Sequence, residues 1–336
     1  MPFVKLRQAL SRLICPSEIP PAPVPTSTLM TAAQHADLAG RQDRLLLATG
    51  QVAARQVQAM DRLGCLANAE FRIYSQFGED GIIEWLISHL PNIPRVFVEF
   101  GVEDYAEANT RFLVRHRGWR GLVMDGSAAN IAHVRADPIH VLNDITPVEA
   151  FVTAENIDAL LVDHGLTGEI GILSVDIDGN DYWVLDAIKS VSPAILIVEY
   201  NAIFGDLHDL TIPYDPSFER FSGHFSGQYY GASLGAFKKL AAAKGYQFVG
   251  TNSAGVNAFF IRDNLALHIK TALDTCRAWP SRHRDSRDET SGMSFVRGTK
   301  RADLILDTPV IDLLSGQTRL LSDLGPLYSD QWLREM

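Results

Sequence analysis

A chain of 336 residues, 46% hydrophobic and 21% charged, can bury a sizeable core as one large domain with appendages or as two small domains. Its 40 acidic and 30 basic residues give a formal net charge of −10, which argues against a general nucleic-acid binder, because such proteins present a basic face. Cys15, Cys65 and Cys276 are far apart and form no CxxC pair, which argues against a disulfide framework or a thiolate zinc site and suits a reducing cytoplasm.

In chain order, MPFVKLRQALSRLI places Phe3, Leu6, Leu10 and Leu13 at helical spacing among Lys5, Arg7 and Arg12. It lacks the continuous apolar stretch of a secretory signal. Two readings stay open for residues 3–14: a basic amphipathic helix lying on a membrane surface, or a frayed or partner-bound terminal helix. PSEIPPAPVP (16–25) is an extended spacer, so residues 1–30 read as a flexible segment. Residues 31–69 read as a helical extension. Leu45, Leu46, Val52, Val57 and Met60 form a stripe that either packs on the core or mediates self-association. No apolar run approaches the roughly 20 residues of a membrane span.

Residues 70–265 alternate strand and helix patterns. VFVEF (96–100), GLVMD (121–125), IHVLND (139–144), GILSVDI (171–177) and AILIVEY (194–200) read as strands. Helical patterns NTRFLVRH, ANIAHVRA, IDALLVDH and YWVLDAI fall between or after them. ASLGAFKKLAAAKG (232–245) is a helix, and YQFVGTN and NAFFIRD form a tight antiparallel pair around SAGV. The expectation is an α/β fold: a doubly wound, mostly parallel, Rossmann-like sheet with helices on both faces. Residues 266–336 read as a C-terminal extension packed on it.

In open α/β sheets, ligands bind beyond the C-terminal strand ends. There the chain places Glu99 and Gly101, Asp125, Asp144, Asp176 and Asp178, then Glu199 and Asn201. Asp125, 24 residues beyond Gly101, stands where an acidic residue commonly binds ribose hydroxyls, and helix capping is its other reading. Asp144 is a candidate acceptor for an adenine amino group, or a loop cap. The first turn, GVEDYAEANT, is not GxGxxG, and no GxxxxGK[ST] occurs. A pyrophosphate cradle is therefore not expected, and a nucleoside carrying an amino-acid tail fits better.

YSQFGEDGIIEWLI (74–87), FVEFGVEDYAEANTRFLVRHRGWRGLVMDGS (97–127), ILSVDIDGNDYWVL (172–185) and ILIVEYN together resemble the FkbM-like class I methyltransferases, which use S-adenosylmethionine. The resemblance covers about residues 70 to 263 and implies a seven-stranded sheet. It also implies methyl transfer, usually to oxygen on sugars, polyketides or other small metabolites. It would place Glu99, Gly101 and Asp125 on the cofactor's amino acid and ribose and Asp144 near its adenine, with Gln76 and Glu79 beside the site. Relatives often carry glycine where Tyr105 stands, which implies a bulkier first loop here.

Methyl transfer to a hydroxyl is an in-line displacement helped by a base or a cation. Asp178, His208 and His224 are the candidate bases. Asp176 and Asp178 project the same way from their strand. With Asp181, Glu199 and Asn201 they form a candidate site for Mg²⁺ or another hard divalent cation, while Asp178 or Asp181 capping the following helix is the other reading. Asp176 is also a candidate cofactor contact. The long segment 204–233, with Tyr214, Phe218, Phe221, Tyr229 and Tyr230, reads as an acceptor-binding lid or as a satellite core. A small-molecule or glycan acceptor is the expected partner, with self-association through the N-terminal helices. A nicotinamide-dependent sugar oxidoreductase or epimerase and a non-catalytic binding module are the alternatives.

Overall fold

The structure, a computed structural model, describes residues 31–336. The candidate amphipathic helix and the proline-rich spacer lie outside the described residues. The described residues divide between Leu45 and Leu46 into two units. Helix α1 (Ala32–Gln58) opens on a reciprocal cap, in which the Gln34 amide donates to Thr31 Oγ1 (3.2 Å) and the Thr31 amide to Gln34 Oε1 (2.8 Å). Within the second unit, Ala54 and Val57 of this helix are buried. Gly50 is needed where Phe112 passes, because a Cβ there would lie 2.6 Å from its ring.

The second unit holds α2 (Glu79–His89), β1 (Val96–Phe100), α3 (Arg111–Arg117), β2 (Arg120–Asp125), α4 (Ala128–Ala136), α5 (Pro138–Leu142) and β3 (Ile145–Glu149). Next come α6 (Ile157–Asp163), β4 (Gly168–Val175), α7 (Asp181–Ala187), β5 (Val191–Glu199), β6 (Leu210–Thr211), α8 (Arg220–Gly223), α9 (Leu234–Ala243), β7 (Tyr246–Thr251) and β8 (Asn257–Arg262). It ends with α10 (Asp263–Lys270), α11 (Lys300–Asp303), β9 (Pro309–Asp312), β10 (Gln317–Leu320) and α12 (Asp330–Glu335).

Seven strands form one sheet in the order β3-β2-β1-β4-β5-β8-β7. The first five are parallel, and β8 is antiparallel to both β5 and β7. This is the doubly wound, Rossmann-like layout expected from the sequence. Both faces are covered, so alternate residues enter different cores. Phe97, Val123, Ile172 and Ile195 face one cluster, and Val98, Leu122, Leu173 and Leu196 face the other.

The third strand differs from expectation. IHVLND does not form it: Asp137 caps a helix at the Ile139 amide (2.8 Å), and Pro138 occupies its first turn, where a missing N–H costs nothing. The strand is Ile145–Glu149, one segment later. Asp144 therefore lies before β3, at the opposite edge of the sheet from the strand ends where ligands bind.

Beyond the main sheet, β6 joins β9 and β10 in a small antiparallel sheet. Ile203, Phe204, Leu210, Ile305, Val310 and Leu321 fill the core beneath it. Segment 204–233 and the C-terminal extension thus share a satellite core. No described helix is long and apolar enough to cross a membrane.

Candidate functional site

A cleft of about 690 Å³ opens over the C-terminal ends of β1, β2, β4 and β5. That size suits a cofactor with an acceptor beside it. Carboxylates dominate its walls: Glu99, Glu103, Glu107, Asp125, Asp176, Asp178, Glu199 and Glu219. Arg220 is the one Lys or Arg side chain among the lining residues.

The loop after β1 is held from below. Glu99, buried, accepts from the Asn109 amide (2.8 Å) and from the Thr110 amide (3.0 Å) and hydroxyl, so it fixes the start of α3. Desolvation outweighs these bonds and lifts its carboxyl to about 7. Asp125 ends β2. It accepts from the Glu103 amide (2.9 Å) across the loop, and from the Ser127 amide (2.8 Å) and Asn130 Nδ2 (3.0 Å) on its own side. Glu103, Tyr105 and Asp178 all have left-handed backbone, with φ of 49°, 60° and 56°. Such strain in non-glycine residues gathers at functional sites. Tyr105 keeps the backbone shape that glycine adopts easily, but its ring does not crowd the cleft. The ring is fully buried, and its hydroxyl is 2.8 Å from Thr110 Oγ1.

Asp176 and Glu199 follow Val175 and Val198, which are partners on β4 and β5. With Asp178 they bring one carboxylate oxygen each to within 4.8 Å of one another. Desolvation, then the neighbouring aspartates, pushes the Asp176 carboxyl well above the usual range. Glu199 is raised for the same reason, with Asp176 and Asp178 as the charged neighbours. Glu199 Oε1 has only a long contact with the Tyr230 hydroxyl (3.4 Å), and Oε2 has no partner. Two buried amide oxygens of the lining, Asn180 Oδ1 and Asn257 Oδ1, are also without partners. Their orientation is fixed, because Asn180 Nδ2 donates to the Asp215 carbonyl (2.7 Å) and Asn257 Nδ2 to Glu79 Oε1 (2.9 Å).

The structure divides the expected site residues. Gln76, Glu99, Gly101, Asp125, Asp176, Asp178 and Glu199 all line the cleft. Glu79 does not: it is buried behind Asn257, accepting from Asn252 (2.6 Å), Asn257 (2.9 Å) and the Phe77 amide (2.8 Å). Asp144 is at the far edge, as described above. Asp181 lies outside the carboxylate trio, because its oxygens accept from the Ile177 (2.7 Å) and Gly179 (2.9 Å) amides and brace the turn into α7. Asn201 is used up as well. Its Oδ1 caps the turn Ala202–Phe204 and its amide donates to the carbonyls of Gln228 and Tyr230. The histidines lie away from the cleft walls. His208 Nε2 sits 2.9 Å from the Pro326 carbonyl, and His224 Nδ1 2.8 Å from Ser226 Oγ. Of the lid aromatics, Phe218 and Phe221 line the cleft, while Tyr229 and Tyr230 are buried and Tyr214 bonds the Ala154 amide.

Arg220 is the functional candidate that sequence reasoning missed. It pairs with Asp178 and with Asp285 (3.2 Å), and its Nε donates to the Gly227 carbonyl (2.8 Å). Its guanidinium lies 4.0 Å from the centre of the Tyr230 ring. Burial disfavours its charge, but Tyr230, Glu199 and Asp178 outweigh that and hold it protonated. Asp285 also binds Arg301 (3.0 Å), which is buried and reaches Gln228 Oε1 (2.7 Å).

No protein-family model and no curated protein sequence matches the chain. Among solved structures it is similar to an O-methyltransferase family protein from Burkholderia thailandensis, at 12% identity and a TM-score of 0.34 over 68% of this chain. The chain spans 61% of that protein's length. It is also similar to an S-adenosylmethionine-dependent methyltransferase from Clostridium acetobutylicum, at 10% identity and a TM-score of 0.36, covering 55% of this chain and 90% of that one. A third, the CurJ carbon methyltransferase, has 10% identity and a TM-score of 0.36, covering 66% of this chain and 70% of that one.

Proposed function

We propose that the protein is an S-adenosylmethionine-dependent methyltransferase of the FkbM-like kind, acting on a hydroxyl of a sugar, glycan or related small metabolite. The observation that carries this reading is the charge of the cleft. Eight carboxylate residues and one ion-paired arginine line it, over a first turn with no glycine-rich phosphate cradle. S-adenosylmethionine is net positive and has no phosphate, so it suits such walls. A nicotinamide dinucleotide would set its pyrophosphate against them, which counts against the oxidoreductase reading.

In this reading Gly101, Glu103 and Asp125 take the cofactor's amino-acid and ribose ends. The acceptor lies against Phe218, Phe221 and the Asp176–Asp178–Glu199 trio. The acceptor oxygen attacks the methyl carbon, and the carbon–sulfur bond breaks with its electron pair left on sulfur, giving S-adenosylhomocysteine. The hydroxyl proton passes to a carboxylate of the trio. The trio is also a hard-oxygen donor set of the type that holds Mg²⁺ or Mn²⁺. A bound cation would lower the acceptor hydroxyl's pKa and orient it.

Isothermal titration with S-adenosylhomocysteine and with NAD tests the reading. Micromolar binding of the first and none of the second is expected. Binding of NAD alone would favour the oxidoreductase, and binding of neither would favour a non-catalytic module.

A further inference from the structure

The carboxylate trio has an oxygen supply that the protein itself does not use. Glu199 is 8% exposed, yet outside the trio its only hydrogen-bond donor is the distant Tyr230 hydroxyl, at 3.4 Å. Asn180 and Asn257, 3% and 4% exposed, belong to the same cleft lining, and each has a buried Oδ1 without a partner. Asn257 is the register partner of Glu199 across β5 and β8. The two amide oxygens can only accept. A buried acceptor without a donor is costly, so a group that fills this place must bring positive charge or hydrogen-bond donors.

Arg220 brings positive charge, but within the trio it is bonded only to Asp178. It reaches Asp178 with a single nitrogen, while its other attachments are to Gly227, Asp285 and the Tyr230 face. None of those three belongs to the trio. If the Asp178 contact is released, the guanidinium remains held on the lid and the C-terminal segment. The cleft therefore has a resident cation that can leave the trio without the lid unfolding.

We propose that Arg220 and a divalent cation compete for Asp178, and that Asp285 is the positioning residue that retains the arginine when the cation takes its place. This rests on the cation reading of the trio given above, and it names Asp176, Asp178 and Glu199 as ligands. Guanidinium and metal ion are both positive and close, so neutralising the arginine strengthens metal binding.

Mn²⁺ titration followed by electron paramagnetic resonance, with no cofactor or acceptor present, tests the exchange. Arg220→Gln should tighten Mn²⁺ by roughly tenfold or more, as expected for removing a like charge beside a partly buried site. Arg220→Lys, which keeps the charge, should stay near the native affinity, and Glu199→Gln should abolish saturable binding. Asp285→Asn should weaken the native Mn²⁺ affinity severalfold, because the displaced arginine then lacks its second carboxylate. Equal Mn²⁺ affinity in native protein and Arg220→Gln would overturn the exchange while leaving the cation site standing. No saturable binding in either would overturn both the exchange and the cation reading. Unchanged circular dichroism and S-adenosylhomocysteine affinity across the series would show that the variants remain folded.

Discussion

The backbone carbonyl of Asp176 occupies the space that a side chain on Gly101 would need. A Cβ on Gly101 would lie 1.6 Å from that oxygen, at a φ of 70°. The turn after β1 and the end of β4 therefore touch through backbone, and this contact sets the floor of the cleft. Gly101→Ala should cost at least about 3 kcal/mol, since neither the carbonyl nor the strand behind it can yield cheaply. Urea unfolding measures it. A loss below about 1 kcal/mol would mean that the two strand ends separate easily.

Tyr105 sets two effects against each other. Its φ of 60° is strained for a tyrosine, and glycine would relieve about 1 kcal/mol. The ring is fully buried, however, and removing a buried aromatic costs about 3–5 kcal/mol. Packing wins, so Tyr105→Gly should be less stable by about 2–4 kcal/mol. Tyr105→Phe loses only the bond to Thr110 and should cost about 1 kcal/mol. Chemical denaturation of both variants checks the order, and a Tyr105→Gly protein more stable than native would refute it.

The same contrast between local signal and tertiary context explains what was legible in the sequence. β1, β2, β4 and β5 are continuous apolar runs because both of their faces are buried, and that pattern is visible in the chain. β3 is an edge strand, ITPVE, with a proline and alternating burial, so it carries little signal. The neighbouring IHVLND looked more strand-like, yet it leaves Val141 and Leu142 each 78% exposed on a short helix. Asp144 was misplaced for that reason. The carboxylates at the ends of β1, β2, β4 and β5 were legible because strand order alone brings them together. Arg220 and Asp285 were not, because 65 residues separate them and only the joint fold of lid and C-terminal segment pairs them.

Glu99 and Asp80 make stability depend on pH in an unusual direction. Desolvation dominates at both, raising Glu99 to about 7 and Asp80 to about 6 despite their hydrogen bonds. Both folded values lie above the ordinary carboxylate range, so between about pH 4 and 7 the native state holds more protons than the unfolded one. Their contribution is therefore full below the unfolded values and is lost as pH rises through 6 and 7. The two groups should lower stability by a few kcal/mol between about pH 5 and 8. Urea unfolding across that range should show the fall, and Glu99→Gln should flatten much of it. A Glu99→Gln protein with the native pH profile would rule Glu99 out as the source.

If the cleft binds S-adenosylmethionine as proposed, it should also distinguish cofactor from product by charge. S-adenosylmethionine carries a sulfonium that S-adenosylhomocysteine lacks, and in the proposed reading the methyl donor therefore gains more from Glu103, Asp125 and Asp178 of the cleft lining. Salt screens that gain where the cleft is open to solvent. Raising NaCl from about 20 to about 500 mM should weaken S-adenosylmethionine severalfold more than S-adenosylhomocysteine. Asp125→Asn should reduce the difference and cost roughly tenfold in affinity for both ligands, because the carboxylate also holds the Glu103 amide that shapes the loop. Parallel calorimetric titrations of the two ligands supply the comparison. Equal salt dependence for both would mean that the sulfonium does not sit among these carboxylates.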